Sequence, residues 1–121
     1  MFTRKYFYLI GTGVIIDQLT KFQAEKCLSF FLPLKIIPNV FSLQLVHNYG
    51  AAYGILQNQR LFLLGVSIIF ISVCIIFREK IATSKYSALG LAFLLMGTVG
   101  NFIDRLFLGF VIDFMNIHIL P

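Results

Sequence analysis

The sequence predicts an all-α integral membrane protein, a polytopic bundle of transmembrane helices with a small β-sheet on the outer side. The first observation is composition, because 59% of the 121 residues are hydrophobic and only 12% are charged, whereas soluble domains carry about 25% charged residues. A soluble fold of this size would struggle to bury so much apolar surface, so a very apolar soluble domain is the weaker alternative. The second observation is three apolar runs that approach the roughly 20 residues needed to cross a bilayer as a helix.

The three apolar runs define one membrane domain that spans residues 1–121. They cover about residues 6–22, 61–77 and 86–106. The net charge of +5 comes from basic residues at the ends of these runs, not from a basic stripe with aromatic residues, so we expect no nucleic-acid partner. Lys and Arg collect in short cytoplasmic segments, which predicts cytoplasmic positions for Arg4, Lys5, Arg78, Lys80 and Lys85. The loop of about residues 23–60 and the tail after residue 106 then lie outside.

The outer loop contains a strand pattern in NVFSLQLV, residues 39–46. Apolar Phe41, Leu43 and Leu45 alternate there with polar side chains, a period of two that is typical of a strand. Pro38 and Asn39 before it are turn residues. We therefore expect a small sheet that lies on the membrane surface, and a short polar turn at residues 78–85 between the second and third runs.

Ionisable side chains within the apolar runs are candidates for function, since each costs about 3 kcal/mol in a membrane helix even on the mildest scale. Asp17 and Lys21 in DQLTK are four residues apart and share one helical face, where they can pair. Taken alone, this pair is also typical of an interfacial ion pair that ends a span.

A stripe of small and polar residues follows one face of the third run. Gly90, Gly97, Asn101 and Asp104 fall on this face at 100° per residue, and small residues allow a neighbouring helix to approach closely. Arg105 follows directly, so the residues alone favour a structural polar clamp in which Asp104 pairs with Arg105.

Asp113 lies in a different setting, the apolar and extended-looking VIDF, residues 111–114. Gly109 before it allows the chain to leave the helix, and no basic residue stands nearby in sequence. Apolar surroundings would suit a carboxyl group for acid–base chemistry; the alternative is an exposed interfacial aspartate. The loop HNYGAAYG, residues 47–54, combines glycines and alanines, which indicates close backbone approach to a partner segment or a bound peptide.

These four motifs, DQLTK, HNYGAAYG, GNFIDR and VIDF, occur in the order and approximate spacing of the lipoprotein signal peptidases, or signal peptidase II, which the chain resembles. The resemblance implies an aspartyl endopeptidase of the bacterial cytoplasmic (inner) membrane, multi-pass, with its active site on the outer face. It implies removal of signal peptides from prolipoproteins by a cut before the diacylglyceryl-modified cysteine. The implied partners are that signal peptide and membrane lipid; a monomer without metal or cofactor is expected.

The resemblance also assigns residues. It implies that Asp113 is one catalytic aspartate and that Asp17 and Lys21 form a pair that supports the site. It further implies a group that lines or braces the substrate pocket, consisting of Asn48, Gly50, Asn101, Asp104 and Arg105. Tyr53 stands where the family usually has Phe.

The second catalytic aspartate of the family belongs to an FNxAD-like motif at the start of a fourth span. No Asp or Glu follows Asp113 in this sequence, which ends at Pro121. We therefore expect a C-terminally truncated chain that lacks one catalytic group and is inactive alone. The alternative is a non-catalytic membrane protein that binds a lipidated signal segment or a partner helix.

Overall fold

The structure is a computed structural model that describes residues 1–51 and 55–117. The expectation for Tyr53 lies outside the described residues. The elements in chain order are α1 (Arg4–Cys27), β1 (Leu34–Ile37), β2 (Phe41–Asn48), α2 (Arg60–Ile76), α3 (Arg78–Ile81), α4 (Lys85–Phe107) and β3 (Val111–Ile117).

The long helices coincide with the three apolar runs, although they differ in how well they suit a membrane. Within the described residues, only α4, with 23 residues, is long and apolar enough by length and composition to cross a bilayer. Helix α2 is apolar but shorter, with 17 residues, and α1 carries several charged side chains. Three crossings therefore remain a prediction.

Helix α1 continues beyond the predicted end of the first run and stops at Cys27. The extra residues, QAEKC, include good helix formers, and Lys26 lies in the last turn, where a cation complements the helix dipole. Ala24 on this extension is buried against Leu45 of β2 and Ile112 of β3. The extension of α1 thus supports the sheet, a tertiary contact that hydropathy alone does not predict.

Helix α4 has well-defined ends. A capping box starts it, because Ser84 Oγ accepts the Ser87 N–H at 3.1 Å and Ser87 Oγ accepts the Ser84 N–H at 2.9 Å. After its last turn, Gly109 adopts a φ of +88°, which few other residues tolerate, so the predicted exit from the helix is confirmed. Arg60 of α2 donates to the carbonyl oxygens of Arg105 at 2.7 Å and Leu106 at 2.6 Å, which satisfies free acceptors at that helix end.

Both α1 and α2 pack on α4, but not along the predicted glycine stripe. Gly90 and Gly97 are exposed, and a Cβ placed on either would meet no other atom within 4 Å. The prediction that these two glycines admit a neighbouring helix is therefore wrong within the described residues. Close approach occurs instead at Gly100 and at Gly13 of α1. The buried cluster consists of Phe2, Tyr6, Cys74, Ala82, Ala88, Leu91, Ala92 and Leu95.

The predicted small sheet is present. It is antiparallel, with strand order β1-β2-β3, and β2 begins at Phe41 within the NVFSLQLV pattern and continues to Asn48. Asn39 turns the chain between β1 and β2 with a φ of +63°, a conformation that asparagine tolerates better than most residues. Val46 of β2 lies opposite Asp113 of β3.

The predicted polar turn at residues 78–85 contains the short helix α3, which holds the start of the chain. The Met1 ammonium donates to Glu79 Oε2 at 2.7 Å, and the Phe2 N–H donates to Glu79 Oε1 at 3.2 Å. The hydrogen bond from the terminal ammonium is the main reason why the pKa of Glu79 is lowered. A lowered folded-state pKa stabilises the fold above the unfolded-state pKa, and this contribution is lost as the pH falls through the folded-state value.

Acetylation of the amino terminus should therefore raise the pKa of Glu79 towards its ordinary value, because it removes the ammonium charge. The Glu79 carboxyl can be titrated by NMR in the acetylated and free forms. A Glu79 pKa that stays equally low after acetylation would contradict the contact.

Candidate active site

A buried polar cluster lies where α1 crosses α4, and Lys21 is at its centre. Its Nζ lies 2.9 Å from Asp17 Oδ2, 2.9 Å from Asp104 Oδ2 and 3.1 Å from Asn101 Oδ1. An ammonium group has three N–H donors, so these three acceptors use all of them. Helical spacing explains the convergence, because Asp17 and Lys21 are four residues apart on α1 and Asn101 and Asp104 are three apart on α4.

The ionic groups of this cluster are removed from solvent to different degrees. The side chain of Asp104 is 1% exposed, that of Lys21 7% and that of Asp17 27%. Charges this deeply buried are tolerated only when they are paired and hydrogen-bonded. The cluster contains two carboxylates and one ammonium, so Lys21 is the cation that both acids share.

The prediction that Asp104 pairs with Arg105 is wrong. Asp104 pairs with Lys21 across the helix interface, whereas Arg105 Nη2 donates to the backbone oxygen of Gly50 at 3.2 Å. Consecutive helical residues point about 100° apart, so only Asp104 faces α1. Arg105 instead attaches the loop after β2 to the end of α4.

Gln18 is a member of the cluster that sequence reasoning missed. Its Nε2 lies 3.0 Å from Asp104 Oδ1, 3.1 Å from Asp17 Oδ2 and 3.2 Å from the Gly100 carbonyl oxygen. The sequence could have indicated Gln18, because it is a neutral polar residue beside Asp17 in an apolar helix. Gln18 connects the same two helices as Lys21 but contributes no charge.

Gly100 provides the space that this cluster occupies. A Cβ at Gly100 would lie 2.8 Å from Asp17 Cγ and still closer to Asp17 Oδ2, which is much less than a van der Waals contact. The carboxylate of Asp17 therefore lies directly against the backbone of α4, and any side chain at position 100 would displace it.

The cluster also reaches the sheet through one backbone hydrogen bond. The Ile112 N–H donates to Asp104 Oδ2 at 3.1 Å, and the Ile112 side chain is buried. Ile112 directly precedes Asp113 in β3. A buried carboxylate of α4 is thus hydrogen-bonded to the backbone N–H of the residue that precedes the predicted catalytic residue.

Asp113 itself is exposed on β3, so the expectation of an apolar setting is wrong for the described part of the chain. Successive strand residues point to opposite faces, and Ile112 takes the buried position. Asp113 Oδ1 accepts the Phe114 N–H at 2.8 Å. Among the described residues, Asp113 has no cation within ion-pairing distance.

The other acidic side chains of the chain are each paired with a cationic or ionisable partner. Lys21 pairs with both Asp17 and Asp104. The two glutamates have their own partners, His47 for Glu25 and the Met1 ammonium for Glu79. All five Asp and Glu residues lie within the described residues, so Asp113 differs from the rest.

Asn48 and Gly50 lie at the end of β2 and in the loop that Arg105 attaches to α4. Asn48 Oδ1 accepts the Gly50 N–H at 2.9 Å, and Asn48 Nδ2 donates to the Ala51 oxygen at 3.0 Å. A Cβ on the buried Gly50 would lie 3.1 Å from the Gln57 backbone nitrogen. The glycines predicted a close backbone approach to a partner segment or a bound peptide. The structure shows that Gly50 instead approaches the chain's own loop.

His47 on β2 provides an aromatic support beside this loop. Its ring stacks on Phe110 with centroids 4.1 Å apart and meets Phe30 edge-on at 4.8 Å. Its Nε2 contacts Glu25 Oε1. These contacts connect β2 to the end of α1 and to the segment that enters β3.

The fold is shared with solved membrane enzymes. A "bacterial membrane enzyme" structure determined by the in meso method at 2.3 Å superposes with a TM-score of 0.87 and 29% identity, covering 98% of this chain and 73% of that one. A second such structure, at 1.9 Å, gives a TM-score of 0.82 and 29% identity, covering 98% of this chain and 77% of that one. The fold is thus similar to that of a bacterial membrane enzyme.

The chain belongs to the signal peptidase II family, because the family described as "Signal peptidase (SPase) II" matches residues 9–121. The lipoprotein signal peptidase of Clostridium novyi (strain NT) is 39% identical over 111 residues, which cover 91% of this chain and 75% of that protein. The lipoprotein signal peptidase of Caldanaerobacter subterraneus is 37% identical over 113 residues, 93% of this chain and 78% of that protein. These matches confirm the resemblance.

Proposed function

We propose that the protein is a membrane aspartyl endopeptidase that removes signal peptides from diacylglyceryl-modified prolipoproteins by cutting before the lipidated cysteine. Family membership and the lipoprotein signal peptidases among its relatives support this proposal. The proposed location is the bacterial inner membrane, with several spans and the site on the outer face. The enzyme acts as a monomer, without a metal or organic cofactor.

Asp113 carries this proposal. An aspartic peptidase needs two carboxyl groups that share a proton, so that one activates water while the other protonates the scissile carbonyl. The group must be accessible and must not be neutralised by a fixed cation. Asp113 meets both requirements within the described residues, since it is exposed and its Oδ1 contact is the Phe114 N–H.

The second carboxyl group is harder to assign, because each of the other acids already has a partner. Asp17 and Asp104 share Lys21, and withdrawing either acid from Lys21 would uncouple a buried ion pair. Glu79 pairs with the Met1 ammonium, and Glu25 pairs with His47. We therefore propose that these 121 residues supply one of the two carboxyl groups and do not cleave substrate alone.

Charge distribution supports the outer location of the site. The start of α1, the segment between α2 and α4, and the start of α4 meet at one end of the bundle. This end carries Arg4, Lys5, Arg78, Lys80 and Lys85. Basic residues favour the cytoplasmic side, which supports an outer position for the opposite end, with the sheet and Asp113.

The sheet region also suits membrane lipid as a partner. Phe31 and Leu32 before β1 are 86% and 78% exposed, and the strand side chains Leu34, Ile36 and Ile37 are all more than half exposed. Large apolar surfaces of this kind mark interaction sites with proteins or membranes. We assign this surface to the lipid interface, where a diacylglyceryl-modified substrate is held.

The test is a cleavage assay on a synthetic diacylglyceryl-modified prolipoprotein peptide in detergent micelles. We expect no product from the 121-residue chain, and cleavage from its fusion to the C-terminal region of the Clostridium novyi relative. In that fusion, Asp113→Asn should lower the rate by roughly 10²–10⁴-fold, the range for a positioned acid–base group.

The matched control is Glu79→Gln, the same acid-to-amide change at the opposite end of the bundle, which should leave cleavage by the fusion unchanged. Cleavage by the chain alone, lost in Asp113→Asn but kept in an Asp17→Asn/Asp104→Asn variant, would contradict the need for an outside carboxyl group. If the fusion is inactive but crosslinks to the lipidated peptide, the result would favour the alternative function, a non-catalytic membrane protein that binds a lipidated signal segment. The pairing of the other acids is consistent with this alternative.

A further inference from the structure

We propose that Gln18 is a positioning residue for Asp113, acting through the carboxylate of Asp104 and the backbone N–H of Ile112. This inference rests on the proposed function for the role of Asp113. Gln18 does not touch Asp113, and its effect is transmitted by two hydrogen bonds in sequence.

The two oxygens of the Asp104 carboxylate have different partners. Oδ1 accepts from Gln18 Nε2 at 3.0 Å, whereas Oδ2 accepts from Lys21 Nζ at 2.9 Å and from the Ile112 N–H at 3.1 Å. Since the carboxylate is 1% exposed, water does not replace a lost donor. The division of donors between the oxygens therefore fixes the rotation of the carboxylate.

Lys21 alone cannot fix this rotation. An ammonium group bonds to either carboxylate oxygen as a compact point charge, and without Gln18 both remaining donors, Lys21 and the Ile112 N–H, hold Oδ2 and leave Oδ1 free to move. Gln18 removes this freedom, because its amide reaches Oδ1 while also contacting the Gly100 carbonyl oxygen at 3.2 Å. With Oδ1 held, Oδ2 stays directed at the Ile112 N–H.

The Ile112 N–H in turn sets the direction of β3. Its bond to Asp104 orients the peptide group between Val111 and Ile112, and the Ile112 side chain is buried against Ala24 and Leu45. Because neighbouring strand residues alternate between faces, a fixed Ile112 directs Asp113 to the exposed face. Loss of the bond allows this part of β3 to rotate.

The test is hydrogen exchange at the Ile112 amide, measured by NMR on the 121-residue chain labelled with ¹⁵N-isoleucine in detergent micelles. The Ile112→Val variant identifies the resonance, and Ile37 of β1 provides a reference in the same sheet. We expect Gln18→Met to raise the Ile112 exchange rate relative to that of Ile37 by about tenfold, because a bond to a buried carboxylate loses its fixed acceptor.

The matched control is Gln23→Met, the same substitution at an exposed position of α1, which should leave the Ile112 to Ile37 ratio unchanged. Asp104→Asn should raise the ratio at least as much as Gln18→Met. An unchanged ratio in Gln18→Met would overturn the proposal, and so would an equal rise at Ile112 and Ile37, which indicates general loosening.

Gln18→Glu provides a second variant of the same length if Gln18→Met does not fold. The introduced carboxyl would face Asp17 and Asp104 beside the single ammonium of Lys21, so its ionisation adds like-charge repulsion. We expect the Ile112 to Ile37 ratio to be higher in this variant than in the unsubstituted chain; an unchanged ratio would overturn the proposal. Neither readout requires cleavage, so failure here and failure of the proposed peptidase activity are separate results.

Discussion

Lys21→Met is expected to lower the free energy of unfolding by about 3–5 kcal/mol, the usual cost of removing one partner from a buried ion pair. Methionine matches the length and apolar stem of lysine but leaves Asp17 and Asp104 facing each other without a cation. Asn101 also loses its donor, since Lys21 Nζ supplies it at 3.1 Å. Reversible unfolding in mixed detergent micelles measures the difference.

Lys26→Met is the matched control for this prediction. Lys26 is exposed on the same helix, with its Nζ 4.3 Å from the centroid of the Phe22 ring. Surface substitutions of this kind change stability by about 0.5 kcal/mol or less. Equal effects of the two substitutions would show that Lys21 does not neutralise buried charge.

Charge balance separates the ionic role of Lys21 from its packing. Neutralising both acids, as in Asp17→Asn/Asp104→Asn, should make a further Lys21→Met substitution less costly than in the natural background. Residues in one network show coupling energies of about 0.5–3 kcal/mol. Additive effects in this cycle would contradict the shared ion pair.

The sequence predicted the elements that depend on local pattern. Apolar runs gave the three long helices, the alternation in NVFSLQLV gave β2, and Gly109 gave the exit from α4, because each signal is contained in a few consecutive residues. The end of α1 at Cys27 was not predicted, since it depends on contacts with the sheet. The membrane crossings of α1 and α2 remain predictions.

The site was predicted as a set of residues but not as a set of contacts. Asp17 and Lys21 are four apart on one helix, so their pairing followed from spacing and is observed. The partner of Asp104 depends on how α4 is rotated towards α1, and Arg105 next to it was an equally basic candidate. Gln18 escaped notice because a neutral amide carries no charge signal, and the exposure of Asp113 depends on the pleat of β3.

The close fit of α1 on α4 gives the second large effect. Gly100→Val should destabilise the protein by roughly 3 kcal/mol, the upper part of the range for overpacking a tight interface. The introduced Cβ would overlap the Asp17 carboxylate, which Lys21 and Gln18 hold in place. Relief of the overlap requires either separation of the helices or withdrawal of Asp17 from Lys21, and both weaken the network that reaches β3.

Gly97→Val distinguishes this overlap from the ordinary cost of changing glycine in a helix. Gly97 lies three residues earlier on α4, where a Cβ would meet no other atom within 4 Å. Glycine is a poor helix former and valine is better by only about 0.5 kcal/mol, so Gly97→Val should be nearly neutral. The same unfolding measurement applies to both variants. If Gly97→Val lowered the free energy of unfolding as much as Gly100→Val, the loss would come from replacing glycine within a helix. The close contact between α4 and Asp17 would then not be a determinant of stability.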